Sequence, residues 1–273
     1  MAGRDQRAGA GRAWRRYLLV PQLVLYALRA PRRQAQAWEN YWTSVRSTGA
    51  GGDVLWDADQ HAETEFVTAQ LRAHADVGLP MVDVGCGNGR QARALTAVAS
   101  RVVAVDASVA AVHRARAEPA GPGEPEFRVA DATQPGFGER LAAELGESNV
   151  HLRGVLHVLS PAQRPAVVRN LAALTGRRGT VFLCETDVAG DQLEYLLRQG
   201  ATPIRLPDVV RRCVAAGIRA PSHFGPAELA GCFPERHWRV LAAGPTVVFG
   251  VPLRPGGPVQ QIPAYFAVLR AAR

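Results

Sequence analysis

The stretch Val82-Asp83-Val84-Gly85-Cys86-Gly87-Asn88-Gly89-Arg90 constrains this chain more than any other. It places three glycines at alternate positions between a short apolar strand pattern, residues 81–84, and a helix pattern over 90–99. Glycine there removes side chains where a ligand must approach the backbone, and it permits the turn that such a reversal needs. An amphipathic helix pattern over 62–73 precedes this turn and a second strand pattern, 101–105, follows it. Together these make a βαβ unit, which predicts a parallel sheet with helices on its faces.

Twenty-one residues beyond Gly85, the apolar run Val103-Ala104-Val105 ends in Asp106. A carboxylate at that strand tip can accept both hydroxyls of a ribose. Taken alone, capping of a helix starting near Ser108 would be the better reading, but combined with the glycine turn at this spacing the ribose is favoured. Dinucleotide folds carry G-x-G-x-x-G, with a pyrophosphate at the helix N-terminus. Here the spacing is G-x-G-x-G, position 90 is Arg, and Asp83 stands where a pyrophosphate would be repelled.

On these residues the sequence resembles the class I S-adenosylmethionine-dependent methyltransferases. The resemblance covers about residues 60–190 and is specific for cofactor and fold, not for substrate. It implies that Asp83, Gly85, Cys86, Gly87, Asn88 and Gly89 line the methionine part of the cofactor and that Asp106, with Ala107 beside it, holds the ribose. Phe127-Arg128-Val129-Ala130-Asp131-Ala132 is similar to the third-strand motif, so Asp131 is expected to bond the adenine amino group, with Ala132 beside it; the plainer reading is a turn aspartate. Asn149 to Leu159 resembles the fourth strand and its turn, and Gly179 to Asp187 the fifth strand. Helix patterns near 191–199, 206–215 and 225–232 are followed by strand patterns over 238–249 and 265–269, with a Pro- and Gly-rich loop, 252–263, between them. The expected fold is therefore α/β: a Rossmann-like, doubly wound sheet of seven strands with an antiparallel terminal strand and an N-terminal helical cap.

Transfer of a methyl group is chiefly a matter of alignment, which can lower a barrier by ~7–11 kcal/mol, whereas a general base typically adds a factor of ~10²–10⁴. If a base acts, His157 is the candidate, because it follows the fourth strand at the carboxyl edge where open α/β sheets bind ligands. A helix-start histidine bonded to backbone is the competing reading. His151 is expected inside a strand, and His223 and His237 in loops. Arg153 is expected either to fix the carboxylate of the cofactor or a substrate anion, or to pair with Glu185 or Asp187. Cys86, Cys184, Cys213 and Cys232 show no C-x-x-C pair and no His companion, so neither a zinc site nor a disulfide framework is expected, and a reducing compartment is.

The net charge of +8 is concentrated in residues 1–46, which hold nine arginines against Asp5 and Glu39; all 32 basic residues are arginine. The rest is nearly neutral, so a polyanion-binding face is not expected, and the N-P-P-Y and paired-cysteine motifs of nucleic-acid methyltransferases are absent. The apolar run 17–28 is shorter than the ~20 residues of a spanning helix. Trp14-Arg15-Arg16-Tyr17-Leu18 faintly resembles a twin-arginine export signal, but Arg29, Arg32 and Arg33 follow directly and no cleavage signature is present. Residues 12–37 leave two readings open: a helix packing its apolar face on the body or a partner, which is the plainer one, and a basic segment resting on anionic lipid at the membrane periphery. Trp38, Tyr41, Trp42 and Trp56 flank a glycine-rich loop and read as core residues or as a lid over an apolar ligand.

The expectation is thus a cytoplasmic enzyme, with peripheral membrane contact left open. Residues 1–57 form a basic helical arm and aromatic lid, and residues 58–273 the methyltransferase domain. S-adenosylmethionine is the expected cofactor, with no metal, and the acceptor a small, partly apolar molecule of bacterial specialised metabolism. The alternative is a binding module or rearrangement enzyme that keeps the cofactor site without methyl transfer.

Overall fold

The computed structural model describes residues 15–58, 61–119, 123–188, 192–202, 204–219, 223–254 and 256–272. The arginines at 4, 7 and 12, Trp14 and the start of the expected 12–37 segment lie outside them. The chain divides into two compact units, one of Asp59–Val188, Pro221–Phe249 and Gln261–Arg273, the other of Met1–Ala58, Ala189–Ala220 and Gly250–Gln260. The N-terminal segment therefore shares its unit with two later segments that the sequence reading had placed in the methyltransferase domain.

The larger unit is built on β1 (Met81–Val84), β2 (Val102–Asp106), β3 (Glu126–Val129), β4 (Asn149–Arg153), β5 (Val181–Thr186), β6 (Trp238–Gly250) and β7 (Gln260–Ala271). Their order across the sheet is β3-β2-β1-β4-β5-β7-β6. The first five are parallel, and β7 runs antiparallel to β5, with Thr186 opposite Ala264 and Val181 opposite Leu269. This is the mixed seven-stranded sheet that the sequence predicts.

Every residue of β1 is buried, as expected where helices cover both faces of a parallel sheet. The two-residue period sorts the side chains. Val82, Val84, Val103, Val105, Val150, Leu152, Val181 and Leu183 share one core with residues of α6 (Phe137–Leu145) and α7 (Arg164–Thr175). Asp83 and His151 alternate with them and occupy the opposite face, where His151 stacks on Phe182 at 5.5 Å. Polar chemistry is thus threaded through strands whose other face is wholly apolar.

Two boundaries differ from the sequence expectation. The helix after the glycine turn, α4 (Arg90–Leu95), ends four residues early. Thr96 turns its hydroxyl back onto the carbonyl of Arg93 at 2.7 Å, and the amides of Ala97 and Val98 bond three residues back, tightening the last turn out of the α-helical pattern. The final strand begins five residues before Tyr265 and takes in Pro263, whose carbonyl accepts from the amide of Asp187 at 2.8 Å. Proline lacks only the donor, so it can sit at a strand position that needs an acceptor.

The smaller unit contains α1 (Val20–Ala27), α2 (Gln34–Ser44), α8 (Gln192–Arg198) and α9 (Asp208–Ala216). Leu19, Leu23 and Tyr26 pack with Leu196, Leu206 and Val210. Trp38, Tyr41, Trp42 and Trp56 form one aromatic cluster, with Tyr41 stacked on Trp56 at 5.3 Å and edge-on to Trp38 and Trp42. Tyr41 is fully buried, and burial, the largest cause, pushes its hydroxyl pKa up. Arg212 of α9 ties this unit together through the carbonyl of Ser44 and, at 2.6 Å, the carboxylate of Asp53. Among the described residues no helix is long and apolar enough to cross a membrane.

Candidate active site

The carboxyl ends of β1, β2, β3 and β4 bring the expected cofactor residues into one unit. Gly85, Gly87 and Gly89 all adopt positive φ, at 78°, 54° and 77°. A Cβ on Gly85 would lie 2.5 Å from Cγ2 of Val155, and one on Gly89 would lie 2.5 Å from the Phe127 ring. At these two positions, then, it is neighbouring protein that demands glycine, and the turn is wedged between Phe127 of β3 and Val155 just after β4. Cys86 and Asn88 are buried within it.

The amides of the turn are largely spent internally. Gly85 and Cys86 donate to the carbonyl of Val105 at 2.8 and 3.1 Å, Gly89 donates to Cys86 at 2.9 Å, and Gly87 donates to Oδ2 of Asp106 at 2.9 Å. A pyrophosphate cradle needs such amides aimed at the ligand. This turn instead locks itself to the tip of β2.

Asp106 also accepts from the amide of Ser108 at 2.9 Å, while Ser108 caps α5 (Val109–Ala117) through its hydroxyl. The cap is therefore Ser108, and Asp106 serves to join turn and strand. Its carboxylate, half-buried at the tip of β2, lies beside the glycine turn where the ribose is expected. Ala107, between these residues, is exposed. Asp131 accepts on Oδ1 from the amide and hydroxyl of Thr133, at 2.8 and 2.6 Å, and on Oδ2 from Gln134 at 3.1 Å. The turn role of Asp131 is thus real, and its Oδ2, with one bond, keeps acceptor capacity. Ala132 is buried and accepts from Asn170 at 2.8 Å.

Asp83 lies beside His151 across the β1/β4 register, its Oδ1 2.7 Å from Nδ1 of the imidazole. Its other oxygen, Oδ2, is buried without a hydrogen-bond partner, as is Nε2 of His151. An unsatisfied buried acceptor costs about 1–3 kcal/mol. A ligand with donors, such as the ammonium of an amino-acid moiety, would relieve it. The orphaned carboxylate oxygen of Asp83 beneath the glycine turn and the acceptor capacity of Asp131 after β3 fit S-adenosylmethionine.

His157 sits in the short 3-10 turn after β4 and is buried. Glu185, fully buried near the end of β5, accepts on Oε1 from the amides of Val155 and Leu156 at 3.1 and 2.9 Å, and on Oε2 from the amide of His157 at 3.1 Å and its Nδ1 at 2.5 Å. One carboxylate thereby fixes both the backbone and the ring of the candidate base. Both the amide and the ring of His157 thus meet the carboxylate of Glu185.

Arg153 finds a carboxylate partner on an earlier helix. Its guanidinium grips Glu63 of α3 (His61–His74), at 3.1 Å through Nη2 and more closely through Nε, and the same carboxylate accepts from the amide of Phe249 at 3.3 Å. Glu185 serves the turn and Asp187 meets His223, while Glu63 lies 90 residues before Arg153 in the chain. His223 has Asp187 at Nδ1 and Glu228 at Nε2, the latter at 3.4 Å. The amide of Gly225 bonds Glu228 and holds its carboxyl below the usual range.

Glu185 carried the same signal as Asp106, an acid closing an apolar strand run, and its clamp could have been suspected from that. Nothing local marks Glu63. The four cysteines are free, two of them buried, and among the described residues no group of His, Cys, Asp and Glu could hold a metal ion. Burial pushes the Cys184 and Cys213 thiols up to about 12.

Comparison with known proteins places these residues in a family context. A family model described as a methyltransferase domain matches residues 81–179. No curated protein matches. Among solved structures, a SAM-dependent methyltransferase from Anabaena variabilis is 24% identical with a TM-score of 0.77, the alignment covering 89% of this chain and 97% of that one. Magnesium protoporphyrin IX methyltransferase from Synechocystis, solved with S-adenosylhomocysteine bound, is 18% identical with a TM-score of 0.51 over 77% of this chain and 83% of that one. At these identities the likeness is one of fold.

Proposed function

We propose that this chain, which carries a class I S-adenosylmethionine-dependent methyltransferase domain, transfers a methyl group to a nucleophilic atom of a small, partly apolar molecule with His157 as general base. Bound cofactor supplies an electrophilic methyl on sulfur. Asp83, Asp106 and Asp131 are the residues proposed to hold it by its amino-acid, ribose and adenine parts. Fixing both reactants in a near-attack pose is worth ~7–11 kcal/mol, the larger share of the acceleration.

The observation that carries the reading is the Glu185 clamp. With Glu185 accepting at Nδ1, the neutral imidazole has its proton there, and Nε2 is the basic atom that would take a proton from the acceptor. Three backbone bonds to one buried carboxylate fix the turn, and a fourth, from Nδ1, holds the ring where free rotation would scatter it. A binding module needs no such base. A partly apolar acceptor is supported by residues 186–235, where Leu, Ile, Tyr, Phe and Pro are interspersed with Arg.

Methyl-labelled cofactor incubated with panels of amphiphilic hydroxy- and amino-compounds tests this. Label is expected to move to an organic product, and His157→Ala should lower kcat by ~10²–10⁴ while leaving the affinity for S-adenosylhomocysteine unchanged. Tight cofactor binding with no transfer to any acceptor would favour the binding module. Full activity in His157→Ala would remove the base.

A further inference from the structure

We infer that the outer face of α1 and the turn before it is a docking surface for an anionic lipid bilayer. The inner residues of this segment, Leu19, Leu23 and Tyr26, are taken up by packing within the smaller unit. Its outer face is just as apolar: Tyr17, Leu18, Val20, Val24, Leu25 and Leu28 are exposed, Leu25 by 61% and Leu28 by 78%. Of the 13 large apolar side chains exposed among the described residues, these six fall within 12 consecutive positions. A helix apolar all round is normally buried all round, so this face calls for a cover.

Charge says what the cover is. Between Asp5 and Glu39 the chain holds seven arginines and no acidic residue. Arg29, Arg32 and Arg33, directly after α1, are exposed. Apolar side chains that enter the acyl boundary, followed at once by guanidinium groups that meet lipid phosphates, are the two elements of interfacial binding. A second copy of this chain would bring the same basic segment against itself, and a neutral apolar partner would leave the arginines unanswered. The segment rests on a surface and does not span it. This inference is independent of the methyl-transfer reading.

The test is co-sedimentation of the full chain with vesicles of phosphatidylcholine alone or mixed with phosphatidylglycerol, at low and high salt. Binding is expected to the mixed vesicles and to weaken with salt. Replacing Arg29, Arg32 and Arg33 by Gln should weaken it by about 100-fold, at roughly fivefold per arginine. Val24→Ser with Leu25→Ser and Leu28→Ser should weaken it similarly, with helical content and S-adenosylhomocysteine affinity unchanged. No binding, equal binding to uncharged vesicles, or binding that neither variant reduces would overturn the inference. So would a concentration-dependent dimer that the serine variant dissolves, since the cover would then be another copy.

Discussion

At the residue scale the site depends on positions where the side chain is dictated by what lies against it. Gly85 combines positive φ with a Val155 methyl 2.5 Å from where a Cβ would be. Gly85→Ala must strain the turn and displace the segment that carries His157, so it should cost about 1–3 kcal/mol of stability and weaken cofactor binding, measured by thermal unfolding and calorimetry. Wild-type stability with intact binding would show that the turn is not wedged in this way. Asp83 is the opposite case. Its unanswered oxygen is a cost in the free protein, which suits a residue kept for a ligand.

At the element scale, the acid-tipped strands and the glycine turn were legible in the sequence because each is local: an apolar run, a punctuating glycine, a carboxylate. The partners of those carboxylates were not. Arg153 finds Glu63 across 90 residues, and no spacing rule reaches that far. The early end of α4 and the longer β7 were missed because a threonine hydroxyl and a proline carbonyl make bonds that periodicity does not register.

In the smaller unit, Arg212 of α9 is tied to Ser44 at the end of α2 and to Asp53 in the loop after it. Burial alone would raise the carboxyl of Asp53, but the amides of Arg46 and Ser47 and the Arg212 guanidinium outweigh it and hold the carboxyl below its ordinary value. A lowered folded pKa means the contribution is complete above the unfolded value of about 3.9 and disappears as pH falls through the folded one. Asp53→Asn should therefore lower the unfolding temperature at pH 7 and flatten its decline on acidification below about pH 4. Parallel declines in both proteins would contradict the linkage.

At the scale of the whole molecule, one sheet edge gathers Asp83, Asp106, Asp131, His157 and Glu185 from five strands or the turns after them, which is where open α/β sheets place ligands. The order β3-β2-β1-β4-β5-β7-β6 sets β1 and β4 side by side, so the glycine turn and the His157 turn meet. That meeting is what unites a cofactor site with a candidate base.

The most direct test is calorimetric titration of the full chain with S-adenosylhomocysteine and, separately, with NAD. The account predicts one saturable site for the first, weakened at least about tenfold in Asp106→Ala, a loss of at least about 1.4 kcal/mol, and no heat from the second. Uptake of NAD by folded protein that gives no heat with S-adenosylhomocysteine would contradict it.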